Sequence, residues 1–374
     1  HLVQTIIGDG KIGSELIQQK PDKIFFTGSV ATGRKILSAA AHHLTPVNLE
    51  LGGKDAMIVC EDADLDLATS GALWGGYSNA GQICASVERI LVHASIRKEF
   101  VETLKNKIRR LNQGDPSQPN IDVGAITMEK QKEIYSAQLT DAERRGLKFE
   151  TGGKFSSDRR FLEPTLVTGD EIESSEIYQE ETFGPVIALT TFETDNEAIE
   201  KSNLSPYGLL GSVFSQNLKR AEAIAQRLEV GTVTINEVVY TAGLPETPWG
   251  GRKDSGYGKK HSAEGLLEFV HVKHIHAPRS TALQFKSLWW FPYGKKQAAF
   301  FDSLFLIYKR DRLAKIAALP RVFRALIDTC GHSVLLILNL TSRRVIALTG
   351  RRCVQISLIQ PPLFEKAFLV LRLG

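Results

Sequence analysis

The sequence predicts an α/β protein with parallel strands that are covered by helices. The chain has 374 residues, of which 43% are hydrophobic and 24% charged, as in an ordinary globular protein. Short apolar runs alternate with longer stretches of helical character, and strands separated by helices form parallel sheets. Ligands of such folds bind beyond the carboxyl ends of the strands.

The predicted elements follow one another from the first residue. The opening sequence HLVQTIIGDGKIGSELIQQ predicts a strand, a glycine turn and a helix. Later strands are predicted at DKIFF, DAMIVC, RILVHA, GPVIALTTF and GTVTINE, and helices at GRKILSAAAHHL and SIRKEFVETLKNKIRRLN. Because the opening carries neither an initiator methionine nor a signal pattern, we expect the chain to begin within a domain.

Charge divides the chain into an acidic body and a basic end. The whole chain carries a net charge of +4, but residues 280–374 contain 15 Lys and Arg against 4 Asp and Glu, a balance of +11. The rest of the chain therefore carries a net charge of −7. This change, together with the loss of strand and helix alternation after HIHAPRS, predicts a domain boundary near residue 278.

The basic end falls into two segments. Residues 279–330 mix aromatic and aliphatic residues with Lys and Arg, a composition suited to peripheral contact with an anionic membrane surface. The alternative is an extra helical layer packed on the body. Residues 331–374 show no clear amphipathic period and receive no functional assignment; a shifted reading frame or disorder would explain them. The apolar run SVLLILNL is too short to span a membrane.

Cysteine usage favours a reducing compartment. The four cysteines have neither metal-ligand spacing nor the density of a disulfide scaffold: Cys60, Cys84, Cys330 and Cys353. We therefore expect free thiols, a cytoplasmic location and no metal site. We also expect no nucleic-acid partner.

The segment FFTGSVATGRKI predicts a strand that turns into a helix at Thr27, Gly28 and Ser29. Such a turn presents backbone N–H groups and the positive end of a helix to a phosphate. Gly28 and Gly33 have the spacing of a nucleoside-triphosphate loop, but an arginine and a lysine follow Gly33 where that loop requires Lys and Ser or Thr. A plain tight connection would explain the glycines equally well.

Two further segments contain candidate catalytic residues. Glu50, in LELGGKDAMIV, lies among apolar residues and glycines, where burial would raise its pKa and suit it to general-base chemistry. A buried glutamate bonded to backbone is the alternative. Cys84 follows the small residues of NAGQIC, and a thiolate there could attack an aldehyde to give a thiohemiacetal and, after loss of hydride, a thioester. A small buried cysteine is the alternative.

Five motifs occur in a fixed order and carry a family resemblance. They are FTGS with Gly33, ELGGK, NAGQIC, EETFGPV and PWGGRKDSGYGKKHSAEGL. Together they resemble the NAD(P)-dependent aldehyde dehydrogenase superfamily over residues 1–276. The resemblance implies a partial Rossmann-type cofactor domain at residues 1–52, an α/β catalytic domain with a parallel sheet at 53–252, and a return segment with the oligomerisation strand at 253–278.

The resemblance also implies roles for individual residues. Cys84 matches the catalytic nucleophile, and Glu50 matches the base that activates the deacylating water. Gly28 and Ser29 match the turn beside the phosphates of NAD or NADP, and the shape of that turn is set by Thr27 and Gly33.

The EETFGPV motif matches the nicotinamide side of the cofactor site. Glu181 resembles the residue that binds the ribose, and Phe183 the residue that packs near the nicotinamide; a simple core position is the alternative for Phe183. An intact protein is expected to form a homo-oligomer.

The implied reaction is oxidation of an aldehyde to a free carboxylic acid, because relatives that pass the acyl group to coenzyme A need no water-activating base. In the family, a ribose-binding lysine and an oxyanion asparagine lie upstream of the strand with which this chain begins. We therefore expect residues 1–374 alone to show no useful dehydrogenase activity. The rival interpretation is a catalytically inactive fragment that acts as an interaction or membrane-surface module.

Overall fold

The computed structural model describes residues 2–277, positions 290, 291, 293–295, 298, 301, 302, 305 and 320, and four strands between residues 334 and 371. The chain divides into two compact units, residues 1–272 and residues 273–374. Most of the predicted basic segment 279–330 lies outside the described residues.

The first unit contains twelve strands within the described residues. They are β1 (Ile24–Thr27), β2 (Val47–Glu50), β3 (Asp55–Val59), β4 (Val87–His93), β5 (Lys148–Thr151), β6 (Thr165–Thr168), β7 (Val186–Phe192), β8 (Tyr207–Gly208), β9 (Leu210–Phe214), β10 (Thr232–Ile235), β11 (Arg252–Lys253) and β12 (Gly256–Tyr257).

The same unit contains nine described α-helices. They are α1 (Gly10–Gln18), α2 (Val30–Ala41), α3 (Leu65–Tyr77), α4 (Arg97–Ile108), α5 (Glu129–Arg144), α6 (Glu176–Gln179), α7 (Asp195–Asn203), α8 (Leu218–Ala225) and α9 (Ser262–Leu267). Short 3₁₀ segments lie at Ser78–Gly81, Ala94–Ile96, Ile172–Ser174 and Tyr240–Gly243.

A seven-stranded sheet forms the centre of the first unit. Its strand order is β10-β9-β3-β4-β7-β6-β5, and every neighbouring pair is parallel except β5 with β6. Both faces are covered, because Met57 and Val59 of β3 lie in one apolar cluster while Ala56 and Ile58 lie in another. This alternation is the pattern of a parallel sheet between two helical layers. The predicted α/β class with a parallel sheet is confirmed.

A smaller sheet lies before the large one in the sequence. β2 pairs in parallel with β1 and antiparallel with β12, giving the order β1-β2-β12. Helix α2 packs on this sheet, with Ala40 among the buried residues shared with β2. The strand and helix predicted at DKIFF and GRKILSAAAHHL are therefore present.

One predicted strand is wrong. Residues 2–9, read as a strand from their apolar pattern, form no regular element, and Leu2, Val3 and Ile7 are exposed. The predicted helix that follows is present as α1, capped by the Asp9 side chain. A strand needs a neighbour to accept its backbone hydrogen bonds, and no described strand pairs with this segment. Residues 268–277 also form no strand within the chain, and the predicted subunit pairing there stays a prediction.

The second unit contains a four-stranded antiparallel sheet in the order β15-β14-β13-β16. Its strands are β13 (Val334–Asn339), β14 (Arg344–Thr349), β15 (Arg352–Ser357) and β16 (Phe368–Leu371). Regular backbone pairing thus occurs in a segment for which the sequence analysis gave no structure. None of the helices in the described ranges is long and apolar enough to cross a membrane.

Candidate active site

Glu50 is the last residue of β2 and is held by its backbone from both sides. It lies opposite Thr27 in the pairing with β1 and opposite Gly256 in the pairing with β12. Its carbonyl oxygen accepts a 3.1 Å hydrogen bond from the Gly28 amide. The residue is 8% exposed, so burial raises the pKa of its carboxyl group.

The predicted phosphate turn is built as a helix N-terminus. β1 ends at Thr27, and Ser29 caps α2 by accepting a 3.3 Å hydrogen bond from the Thr32 amide. Thr27, Gly28 and Ser29 are exposed, whereas Gly33 is buried. A Cβ at Gly33 would lie 2.7 Å from the Leu51 side chain, so this glycine allows α2 to approach β2. The Gly28 amide is already used by Glu50, and the Ser29 hydroxyl donates a 3.0 Å hydrogen bond to the Thr32 hydroxyl, which leaves the first turn of α2 to face a phosphate.

Cys84 lies at the end of an unusual left-handed segment. Asn79, Ala80 and Gly81 have φ of 50°, 55° and 68°. A Cβ at Gly81 would lie 2.1 Å from the carbonyl oxygen of Gly184, so the segment passes directly against the backbone of the EETFGPV motif. Gln82 fastens the loop to its surroundings, since its side-chain oxygen accepts hydrogen bonds from both the amide and the hydroxyl of Thr127. Cys84 itself is half-buried and is a free thiol.

Two glycines bring the ELGGK and EETFGPV motifs together. The Gly53 amide donates a 3.1 Å hydrogen bond to Oε1 of Glu181. A Cβ at Gly52 would lie 2.1 Å from the Glu181 carboxylate, and a Cβ at Gly53 would lie 2.5 Å from the Cys84 carbonyl oxygen. Only residues without a side chain let Glu181 and the Cys84 loop pack on this segment together.

Phe183 is a half-buried residue with a left-handed backbone, φ 52°. Its carbonyl oxygen accepts a 2.5 Å hydrogen bond from the Tyr135 hydroxyl, and its amide donates to Glu88. The hydrogen bonds to neighbouring segments hold it in this conformation. Phe183 is outside the buried apolar clusters of the described residues, which argues against the simple core alternative.

A buried ion pair that the sequence analysis did not single out supports these loops. Nζ of Lys54 lies 2.6 Å from Oε2 of Glu88, and their side chains are 0% and 2% exposed. The Glu88 carboxylate also accepts hydrogen bonds from the amides of Thr182 and Phe183, at 2.8 and 2.7 Å. Glu88 thus binds the residues directly after Glu181. Its position inside the apolar strand SVERILVHA was the available sequence signal, because a charge in a buried strand requires a partner.

The protonation properties of the site follow from burial. Burial, with a smaller contribution from Asp55, raises the pKa of the Cys84 thiol to about 11. Burial and the nearby Glu88 charge raise the pKa of Glu181 to about 7. Among the groups that act on Cys84, the ammonium group of Lys260 lowers its pKa. Cys84 therefore needs a proton acceptor or a positive charge to form the reactive thiolate at neutral pH.

The predicted residues converge on one region. Backbone contacts join the turn at Gly28 to Glu50 and Gly53 to Cys84, and the Gly53 amide donates a hydrogen bond to the Glu181 carboxylate. The residues that the sequence analysis missed lie on the same segments: Lys54, Glu88, Trp249 and Lys260. Lys54, Trp249 and Lys260 lie in quoted motifs, and Glu88 directly precedes the predicted strand RILVHA, but their partners could be identified only from the fold.

Comparisons with known proteins bear on this arrangement. The profile of the aldehyde dehydrogenase family matches residues 1–275. The chain is 41% identical over 293 residues to a 4,4'-diapolycopene aldehyde oxidase of Methylomonas sp, covering 78% of this chain and 54% of that protein. It is 36% identical over 282 residues to the betaine aldehyde dehydrogenase of Bacillus subtilis, covering 74% of this chain and 57% of that protein.

A solved structure shows the same fold. The betaine aldehyde dehydrogenase of Staphylococcus aureus in complex with NAD⁺ matches with a TM-score of 0.70 and 36% identity, over 75% of this chain and 57% of that one. The chain thus spans about half the length of the relatives it matches. The predicted family resemblance is confirmed by the extent of the profile match and by the identities, and the chain belongs to the aldehyde dehydrogenase family.

Proposed function

We propose that this chain carries the acyl-transfer centre of an NAD(P)-linked aldehyde dehydrogenase, with Cys84 as the nucleophile and Glu50 as the general base. One observation carries the proposal. The Gly52-Gly53 segment, two residues after Glu50, packs against both the Glu181 carboxylate and the backbone of Cys84. The candidate base Glu50, the Cys84 loop and the Glu181 carboxylate, which is suited to a ribose, therefore all lie on or against the same short segment.

The first step is attack by sulfur. The Cys84 thiol loses its proton, and the thiolate adds to the aldehyde carbon to form a thiohemiacetal. Loss of the aldehyde hydrogen as hydride then converts the thiohemiacetal to a thioester on Cys84. Because the pKa of the free thiol is about 11, only a small fraction is thiolate at neutral pH, and the thiol proton is released to solvent water in this step.

The second step is hydrolysis of the thioester. Glu50 accepts a proton from water, the resulting hydroxide equivalent attacks the acyl carbon, and the acid leaves as the thiolate re-forms. The raised pKa of Glu50 makes it a better proton acceptor than an exposed glutamate would be. A base at this position supports a free carboxylic acid as the product, as the sequence analysis expected.

The residues present fit a dinucleotide. Glu181 uses only Oε1 to accept the Gly53 amide among the described hydrogen bonds, which leaves Oε2 for a ribose hydroxyl. Ser29 and the N-terminus of α2 suit a phosphate, and Phe183 offers an aromatic side chain that is only half-buried. NAD or NADP, when bound, would accept the hydride. The NAD⁺ in the Staphylococcus aureus structure supports this assignment.

The proposal extends to substrate and assembly. A long apolar aldehyde is the proposed substrate class, supported by the name of the Methylomonas relative and by the apolar residues of segment 279–330. Homo-oligomeric assembly and peripheral membrane contact through segment 279–330 remain proposals. A cytoplasmic location is also a proposal, and the free thiols of Cys60 and Cys84 support it. Oxidation of a panel of aldehydes with NAD⁺ or NADP⁺ is read as absorbance of the reduced cofactor. Residues 1–374 alone are expected to show no useful turnover, and robust turnover would overturn that expectation and identify substrate and cofactor.

An activated ester tests the acyl chemistry without a cofactor. With p-nitrophenyl acetate, the wild-type chain is expected to release p-nitrophenolate in a burst and then steadily as the acetyl-thioester hydrolyses. Cys84→Ser should lose the burst. Glu50→Gln should keep the burst but slow the steady release by about a hundredfold or more, and peptide mass mapping should find the trapped acetyl group on Cys84.

Two variants serve as matched controls. Cys60→Ala removes a fully buried thiol whose pKa burial raises to about 12, and Glu246→Gln neutralises an exposed glutamate. Both should behave as the wild type. Acetyl groups distributed over several cysteines, or unchanged steady release by Glu50→Gln, would contradict the assigned roles.

A further inference from the structure

Lys260 is fixed beside the candidate site by direct backbone pairing with Trp249. The Trp249 amide donates to the Lys260 carbonyl, and the Lys260 amide donates to the Trp249 carbonyl, each at 2.9 Å. Trp249 is 1% exposed and belongs to the main apolar cluster. An antiparallel bridge places the two paired side chains on the same face. The buried indole therefore fixes the position of the Lys260 backbone, from which the lysine side chain extends.

The Lys260 ammonium group lies near both the indole and the candidate base. Nζ is 3.5 Å from Oε2 of Glu50 and 5.9 Å from the centroid of the Trp249 ring. The Lys260 side chain is 37% exposed, whereas that of Glu50 is only 9% exposed. A positive charge over an aromatic face and near a carboxylate is attracted by both. The contact therefore restrains the end of an otherwise flexible side chain.

The same lysine acts on Cys84. Besides burial, the groups that act on the thiol are the carboxylates of Asp55, Glu50 and Glu181, which raise its pKa, and Lys260, which lowers it. On Glu50, the charges that oppose burial are those of Lys260 and, more weakly, Lys259, with a further contribution from the Trp249 indole. Lys260 is thus a cation that acts on both groups.

We infer that Lys260 is a functional positioning residue of this site, whose ammonium group holds the Glu50 carboxylate and supplies a positive charge that acts on both Glu50 and Cys84. The inference deepens the proposed function and rests on it for the roles of those two residues. The position of the Lys260 ammonium group follows from the paired backbone, the ion pair with Glu50 and the contact with the Trp249 indole.

The arrangement has a clear electrostatic purpose. Forming a thiolate beside the carboxyl groups of Asp55, Glu50 and Glu181 is unfavourable to the extent that they are ionised, and a single ammonium group offsets part of that cost. Once Cys84 carries a neutral acyl group, the lysine acts on Glu50 alone. It then keeps more of the buried carboxylate ionised at a given pH than burial by itself would allow, so that Glu50 is ready to accept a proton from water.

The alkylation rate of Cys84 tests the inference without any catalysis. The wild type, K260M, K260Q, K260R and K259M are treated with iodoacetamide across a range of pH, and the Cys84 peptide is quantified by mass spectrometry. K260M and K260Q should be alkylated about threefold to tenfold more slowly near neutral pH, with the profile moved to higher pH. K260R should restore most of the rate, because arginine keeps the charge.

K259M is the matched control, since it removes the neighbouring lysine, whose charge acts on the site more weakly than that of Lys260. Its alkylation profile should coincide with that of the wild type. The inference is overturned if K260M and K260Q also coincide with the wild type while circular dichroism shows the same fold. Two neutral variants of a partly exposed lysine guard against the failure of one to fold.

The pH dependence of deacylation gives a second readout. In the ester assay, K260M should move the rise of the steady rate to higher pH, because the Glu50 carboxylate then binds its proton more tightly. A wild-type chain that forms no acyl-enzyme would count against the proposed function alone. The alkylation profiles would still decide whether Lys260 acts on Cys84.

Discussion

Glu181 shows how a single carboxyl group is shaped by its surroundings. Burial and the Glu88 charge raise its pKa to about 7 from an ordinary value of 4.5, while the Gly53 amide and Lys54 oppose the rise. The folded state therefore binds a proton that the unfolded state has lost between these two pH values. This carboxyl group lowers the free energy of unfolding as pH increases through that window.

Replacement of Glu181 by glutamine should remove this pH dependence. Glu181→Gln keeps an acceptor for the Gly53 amide, so it should match the wild type near pH 4.5 and exceed its free energy of unfolding by up to about 3 kcal/mol above pH 7. Urea denaturation at the two pH values measures the difference. Glu180→Gln, at the exposed neighbouring position, is the control, and equal behaviour of both variants would disprove the expectation.

The individual site residues were predictable to different degrees. Cys84, Glu50 and Glu181 could be identified from motifs, because short glycine-rich sequences restrict which side chains can lie nearby. Lys260 was inside a quoted motif, yet its role depends on a partner 210 positions away in the chain that only the folded backbone brings to 3.5 Å. Local sequence contains no information about such a distance.

At the scale of elements, the left-handed segment before Cys84 is the most constrained connection in the site. Three consecutive residues with positive φ, Asn79 to Gly81, turn the chain between α3 and the Cys84 loop. For residues other than glycine this conformation costs about 1–2 kcal/mol each. The packing of Gly81 on Gly184 must compensate for that cost, which makes the contact sensitive to substitution.

Gly81→Ala and Gly146→Ala form a matched pair, because both glycines have φ +68°. A Cβ at Gly146 meets nothing within 4 Å, whereas one at Gly81 lies 2.1 Å from the Gly184 carbonyl oxygen. Gly146→Ala should lower the free energy of unfolding by about 1 kcal/mol, and Gly81→Ala by clearly more. Thermal denaturation and the Cys84 alkylation rate report the two effects, and similar losses in both variants would contradict the packing argument.

Elements with a strong apolar pattern were predictable, and those that depend on a pairing partner were not. The predicted strand DAMIVC corresponds to β3 within one residue of its end. The opening residues have a similar apolar pattern but form no strand, because the pattern does not specify a neighbour. The runs VLLILN and RVIALT of the second unit do pair; their β-branched residues were a usable signal.

At the scale of the first unit, the Lys54–Glu88 pair connects three distant parts of the chain. It joins the residue before β3 to a residue of β4 and, through the Thr182 and Phe183 amides, to the loop before β7. Burial lowers the pKa of Lys54, and the Glu88 charge opposes that change. The net contribution of a buried ion pair to the free energy of unfolding is small, because burial of the two charges costs about as much as their attraction returns. The loss of one partner, however, leaves the other charge buried without a partner, which is strongly destabilising.

Lys54→Met should therefore lower the free energy of unfolding by about 3–5 kcal/mol. The double variant Lys54→Met/Glu88→Gln removes the unpaired charge and keeps one acceptor for the backbone amides. It should be no less stable than Lys54→Met alone, and Glu88→Gln completes the double-mutant cycle. Urea denaturation of the four proteins measures the coupling, and additive losses would show that the two side chains do not depend on each other.

The hydrogen bond from the Gly28 amide to the Glu50 carbonyl oxygen also has a spectroscopic consequence. The amide proton of Gly28 lies in the turn that suits a phosphate. Its acceptor is the backbone carbonyl oxygen of Glu50, the residue proposed to activate water. In a protein labelled with ¹⁵N-glycine, the amide chemical shift of Gly28 would change when a nucleotide binds and also when β2, which ends at Glu50, is displaced. A single nuclear resonance could thus follow events at two ends of the site without any reaction taking place.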